Sequence, residues 1–487
     1  QISTYLLEGF RMRRALAISL AILVVMIAAR GVMAQDAEQS ATDRLLEILK
    51  SRQIISEGEF SELKELAGNM EAERNDVDAR LGALDRSISD YLAKDGDGVG
   101  SNVTYQPGGG FTFGSTDNAF SLTVGGTFIM HYLGLDINEV SGSKDTNNFN
   151  ITQNRIHFSG HAFDPAMRFY IEFDAAPARQ ATFLGVPVNQ LVDEEMSQDM
   201  QDLAYLQASG FSIDEYGTTR LWEAYLDYEL CEWTTIRAGQ MKVPYGRQWQ
   251  THVGDLGFAE WDPVSQYFNF GRDVGVMLHD HIAISEGSDA VFQYNLGMWN
   301  GEGNTGNDHS YVAWAIRGAI DPFGYVDPAE GDWTGGDFRA SLGGTYYQHQ
   351  MRFDAAKVTA YEVDFAAKFM GFYLIAEWFQ RDFESDSSDD IKNSGWYAQL
   401  QYMIIPKQLE VMGRVGMIDY DKFQFSAFDF PIFEDSREWA VGLAWYFSES
   451  HAWKTVLEFG GAEHSIREDG GDNPSFNFLR LAIQLQW

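Results

Sequence analysis

From about residue 111 to the end of the chain, apolar and polar side chains alternate one by one in stretch after stretch. In "RLWEAYLDYEL", Trp222, Ala224, Leu226, Tyr228 and Leu230 share one parity, and Glu223, Tyr225, Asp227 and Glu229 the other. "MRFYIEFDAA" sets Met167, Phe169, Ile171 and Phe173 against Arg168, Glu172 and Asp174. Trp396, Ala398, Leu400, Tyr402 and Ile404 repeat the pattern, as do Trp439, Val441, Leu443, Trp445 and Phe447. A two-residue period between Gly, Asp, Asn and Pro turns is the signature of strands with one apolar face. The rule predicts strands near 120–132, 151–162, 167–176, 219–230, 233–241, 273–279, 290–299, 311–320, 337–348, 358–369, 371–382, 395–405, 408–419, 437–447, 453–463 and 476–487. That even set suits a closed antiparallel barrel.

A secreted sandwich or propeller also alternates, but it buries its apolar faces against one another. Here the apolar face is rich in Trp, Tyr and Phe near strand ends, as lipid-facing strands with aromatic girdles are. Aromatics make up 14% of the chain while 22% of residues are charged, an unusual mixture for a core of Leu, Ile and Val. The expected fold class is therefore all-β: a 16-stranded antiparallel transmembrane β-barrel over 111–487. Acids outnumber bases 71 to 35, a formal charge of -36, which disfavours nucleic acid as a partner. Cys231 is the sole cysteine and allows no intrachain disulfide.

The N-terminal region reads differently. Arg13 and Arg14 precede the apolar run Ala15–Ala29, and Val32 and Ala34 occupy small-residue cleavage positions. This is the pattern of a signal peptide cleaved after Ala34, with residues 1–11 upstream of a start at Met12. The run is too short for a membrane anchor. Residues 35–94 predict a periplasmic helical segment, with Ser56 and Glu59 as a capping box. Val77, Leu81, Leu84, Ile88 and Tyr91 form a short heptad seam that fits either a coiled coil or a helix packed on its own protein. A Gly-rich linker is expected at 95–110. Asp95 and Asp97 open it like a calcium loop, but the closing glutamate is absent; "ESDSSDD" at Glu384–Asp390 likewise reads as a solvated loop. No metal or cofactor is expected.

Four blocks then carry a resemblance: "LWEAYLDYELCEWTTIRAGQMKVPYG" (221–246), "RDVGVMLHD" (272–280), "YNLGMWNGEG" (294–303) and "GWYAQLQYMIIPKQLEVMGRVGMIDYD" (395–421). Together with "LLEILKSRQIISEGEFSELKEL", they resemble the phosphate-selective porin O and P family. The resemblance implies a trimeric outer-membrane barrel of a Gram-negative-type bacterium that passes small solutes by passive diffusion, narrowed by an inward third external loop. That loop would run over Val243–Arg272, with Lys242, Arg247 and Arg272 at its ends and Asp255, Glu260 and Asp262 within it.

Parity places Arg155, Arg168, Arg237, Arg317, Arg339 and Arg414 on the lumen face. Such residues either pass an anion such as phosphate from one to the next, or pair with Glu172, Asp174, Glu223 and Asp227 to brace the wall. The family's anion preference rests on surplus lumen cations, from which this acidic chain departs. The alternative is a general or cation-preferring porin whose N-terminal helices tether envelope polymer. His157, Ser159 and His161 share one face, as alternation places any three polar residues, so no enzyme is expected. Leu479, Leu481, Ile483, Leu485 and Trp487 form the lipid-facing half of a strand expected to pair with the first and close the barrel, its terminal aromatic also serving as the address read by the barrel-insertion machinery.

Overall fold

The computed structural model describes residues 102–138, 146–176, 220–285, 287–301, 311–333, 335–350, 357–384, 390–420, 433–466 and 475–487, with a few isolated positions besides. The signal peptide, the helical segment, the heptad seam and most of the "ESDSSDD" loop lie outside the described residues.

All sixteen strands expected from alternation are present: β1 (Phe120–Asn138), β2 (Thr146–Ala162), β3 (Asp164–Asp174), β4 (Arg220–Cys231), β5 (Thr234–Lys242), β6 (Arg272–Ala283), β7 (Val291–Trp299) and β8 (Ala313–Asp321). They continue with β9 (Arg339–Gln350), β10 (Lys357–Phe369), β11 (Phe372–Glu384), β12 (Ile391–Ile405), β13 (Leu409–Asp419), β14 (Phe433–Tyr446), β15 (Trp453–Ile466) and β16 (Ser475–Gln486). Each pairs antiparallel with its sequence neighbour, and β16 returns to β1 with Leu481 opposite Tyr132 and Gln486 opposite Thr127. The barrel is closed and every central edge is paired, as spanning a bilayer requires.

Alternation becomes geometry along each strand. On β16, Phe478, Arg480, Ala482, Gln484 and Gln486 are buried toward the lumen, while Leu479, Leu481, Ile483, Leu485 and Trp487 lie on the outer surface. Leu226, Val276, Leu296, Ile316, Leu342, Leu400 and Val441 are exposed in the same sense, an apolar outer band suited to lipid. At the end carrying the short turns, Phe120 meets Phe163 at 5.2 Å, Phe323 meets Phe338 at 5.4 Å and Phe372 meets Tyr402 at 4.3 Å between ring centroids, forming an aromatic girdle.

Two features depart from expectation. Asn102–Gln106 and Gly110–Gly114 form a hairpin that starts in the stretch read as linker, 95–110, and ends just past it; its second strand pairs Phe111 with Val124 of β1. That strand continues the line of β16, whose Trp487 exchanges backbone hydrogen bonds with Gly126. The second departure is Trp222. A register shift between β3 and β4 pairs Phe173 with Leu221, so Leu221 takes the outward place. Trp222 turns inward, stacked between guanidinium groups of Arg155 at 4.6 Å and Arg272 at 4.3 Å. A bulge re-aims a side chain in this way, against simple parity.

Candidate functional site: the lumen and its inward loop

The segment between β5 and β6, L3, folds into the lumen rather than outward. Its first turn is set by Gly246, whose φ of 81° lies in the left-handed region, and where a Cβ would come within 3.1 Å of Glu377 Oε2 and 3.2 Å of Phe379. Helix α1 (Arg247–Gln250) then starts against the wall: the Arg247 and Gln248 amides donate to the two Glu377 carboxylate oxygens at 2.9 and 2.6 Å. A carboxylate at orphaned helix N–H groups is the favourable charge there. Further along, Gly257 N donates to Glu330 at 2.7 Å and Ala259 N to Glu458 at 2.5 Å.

Helix α2 (Pro263–Phe268) is capped by Asp262, whose Oδ1 accepts from Val264 N at 2.8 Å, with Pro263 in the first turn. Val264 and Phe268 press on Gly395 of β12, and Val264 also on Gly416 of β13, where any Cβ would lie within 3.0 Å of them. Phe268 stacks on Phe379 at 5.3 Å and Phe270 on Tyr347 at 3.6 Å between centroids. L3 is thus docked on the β9–β16 half of the wall by buried carboxylates and aromatic contacts.

The predicted cations divide by this docking. Arg247, on α1, reaches Ser341 Oγ and Val326 O, each at 2.9 Å, and approaches Asp364 at 3.9 Å. Arg317 bonds Glu362 at 2.9 Å and Asp364 at 2.6 Å. Arg414 holds Glu260 O at 3.3 Å and lies 3.9 Å from Asp262 and 3.8 Å from Glu438. Burial, and then the Glu438 carboxylate, push the Asp262 carboxyl well above the ordinary range. Arg339 pairs with Asp332 at 2.9 Å near the turn end of the barrel. All of these anchor the occluded half.

On the other half a cavity of about 410 Å³ remains open, lined by residues of β2 to β7, by L3, by Gly108 of the hairpin turn and by Gln486 of β16. Arg237 and Lys242 line it together with Glu223, Asp255 and the imidazoles of His157, His252 and His279. Arg237 forms a two-pronged bond to Asp227 at 2.7 and 2.8 Å, and Glu223 is met by Arg272 at 2.8 Å. Lys242 differs: its Nζ donates to the Thr251 and Gln250 carbonyls at 3.0 and 3.3 Å, and among the described residues no carboxylate forms an ion pair with it. Arg155 is buried at 3.7 Å from Glu172 and 3.5 Å from Asp174, and Arg168 sits exposed 4.0 Å from Glu229. Glu260 lies 3.9 Å from His131, away from the cavity lining.

Of the residues expected at the constriction, Arg237, Lys242 and Asp255 line the cavity; the aromatic stack beside them was not anticipated. His157, Tyr170 and Tyr225 lie face to face at 5.7 and 5.4 Å on adjacent strands, with Arg237 3.8 Å above Tyr225. All share the lumen parity, which was the available signal. His157 and Ser159 do not form a nucleophile pair with His161, whose Nδ1 is bonded to Ser121 Oγ at 2.7 Å.

Solved structures of similar fold include outer-membrane proteins. OprB of Pseudomonas putida aligns with 10% identity and a TM-score of 0.50, covering 76% of this chain and 95% of its own. The outer membrane channel DcaP of Acinetobacter baumannii shows 11% identity, TM-score 0.47 and coverage of 77% and 99%. An anion-selective porin from Comamonas acidovorans shows 12% identity, TM-score 0.45 and coverage of 76% and 100%. Among curated proteins none matches. The family model for phosphate-selective porin O and P matches residues 122–487, three quarters of the chain. The match covers well over half of the chain, reaching every strand of the closed barrel, and the chain belongs to the phosphate-selective porin O and P family.

Proposed function

We propose that this outer-membrane porin is a narrow passive-diffusion channel, working as a homotrimer of the kind usual in its family, in which small anions such as phosphate are favoured. The observation that carries the reading is Lys242. Its ammonium faces the open side of the lumen held by neutral carbonyls, with no carboxylate in an ion pair with it among the described residues. The neighbouring charges pair off, Arg237 with Asp227 and Glu223 with Arg272. An anion crossing beside L3 meets a positive site that binds weakly enough to release it. Because the wall arginines are occupied by carboxylates, the preference is modest compared with that of a ladder of unpaired guanidiniums.

One observation favours the general or cation-preferring alternative: Asp255 also lines the cavity, on the L3 side. The test is Lys242→Gln in planar bilayers under a salt gradient. Loss of one lumen charge shifts the reversal potential toward cations and weakens any block by added phosphate. A variant indistinguishable from wild type removes Lys242 from the account.

A further inference from the structure

The connection from β8 to β9 lies at the turn end, where its neighbours are tight, yet it runs from Pro322 to Phe338 and enters the lumen. Val326, Glu330 and Asp332 are buried to 2% exposure or less. Glu330 is bonded through every polar atom. Its carboxylate accepts from Gln248 Nε2 at 2.8 Å and from Gly257 N, Gln399 Nε2 and Gln401 Nε2, each at 2.7 Å. Its amide donates to Asp255 O at 2.9 Å, and its carbonyl accepts from Trp333 Nε1 at 3.0 Å and lies 2.9 Å from His451 Nε2.

Two of those carboxylate donors belong to L3 and two to β12. Thr251 Oγ1 adds a bond to Pro328 O at 3.0 Å, and Arg247 reaches Val326 O. At the base of the turn, Asp332 accepts from Arg339 at 2.9 Å and from Gly371 N at 2.8 Å. The occluding half of the lumen is therefore built from both ends, L3 from one side and this turn from the other, with a single carboxylate at their junction.

We infer that Glu330 is a positioning residue for the pore: it clasps L3 to the β8–β9 turn and to β12, and so sets the width of the passage left on the β2–β7 side. The inference rests on the channel reading but not on its ion preference, since conductance reports the clasp and reversal potential reports the preference. Removing the carboxylate leaves four buried N–H donors without their acceptor, which favours water entering between turn and loop.

The experiment is single-channel recording of the full chain in planar bilayers, with Glu330→Ala beside wild type. Because conductance follows the open cross-section, the variant is expected to conduct roughly twofold more, with a flickering open state, at an unchanged sign of reversal potential. Folding is checked by the heat-dependent mobility of barrels in detergent gels. A folded E330A with wild-type conductance and a quiet open state overturns the inference. If E330A does not fold, Thr251→Val takes its place, because it deletes one bond between loop and turn at nearly constant volume. Raised open-state noise then supports the clasp, and a wild-type trace overturns it.

Discussion

Gly246 shows how much one backbone position carries. Its left-handed φ and the approach of Glu377 and Phe379 leave no room for a side chain, so Gly246→Ala should cost about 1 to 3 kcal/mol and unseat the first turn of L3. Thermal loss of the folded band on gels should come at lower temperature, with conductance raised. Asp262 makes a finer distinction. Burial and the Glu438 carboxylate push its carboxyl well above the ordinary range, while its Oδ1 caps α2. Asp262→Asn keeps an acceptor at the cap without a charge and should leave stability nearly unchanged, whereas Asp262→Ala should lose about 1 kcal/mol. Equal melting of the two variants contradicts this.

The lumen face of the wall arginines and the acids Glu172, Asp174, Glu223 and Asp227 as possible partners were legible from parity, but which arginine meets which acid was not. Asp227 lies directly opposite Arg237, and Asp174 opposite Arg155, in registers that only strand pairing reveals. Trp222 was misread because a bulge displaces the parity on which the reading depends.

At the scale of elements, strands were readable because each carries its own apolar face, a local property. L3 was readable only as a long interval between two strands. Its short helices have no independent stability: α1 starts on Glu377 of β11, and the stretch between the helices is held by Glu330 of the β8–β9 turn and Glu458 of β15, acceptors far away in sequence. Accordingly, Glu377→Ala should free the Arg247 and Gln248 amides and raise single-channel conductance, with the barrel still folded by gel mobility. Unchanged conductance there would remove Glu377 as an anchor. The hairpin at Asn102–Gly114 was missed although Pro107, Gly108 and Gly109 separate "VTYQ" from "GFTF", a turn signal between two short apolar runs. Its strands are too short to stand alone and are held by the free stretch of β1 beyond Trp487.

At the scale of the whole molecule, the surplus of acid over base describes the chain and not its passage. Among the described lumen residues Arg155, Arg237, Arg272 and Arg317 are paired with carboxylates, while Lys242 and Asp255 both face the open cavity without an ion pair. Fixed charges beyond a Debye length of roughly 8 Å contribute little to the local potential at physiological salt. Selectivity therefore depends on a few groups beside L3. The most direct measurement is the reversal potential of the purified protein in a planar bilayer under a salt gradient, followed by titration with phosphate. An anion-selective sign with concentration-dependent reduction of current by phosphate is predicted. A cation-selective sign with no effect of phosphate would contradict the account.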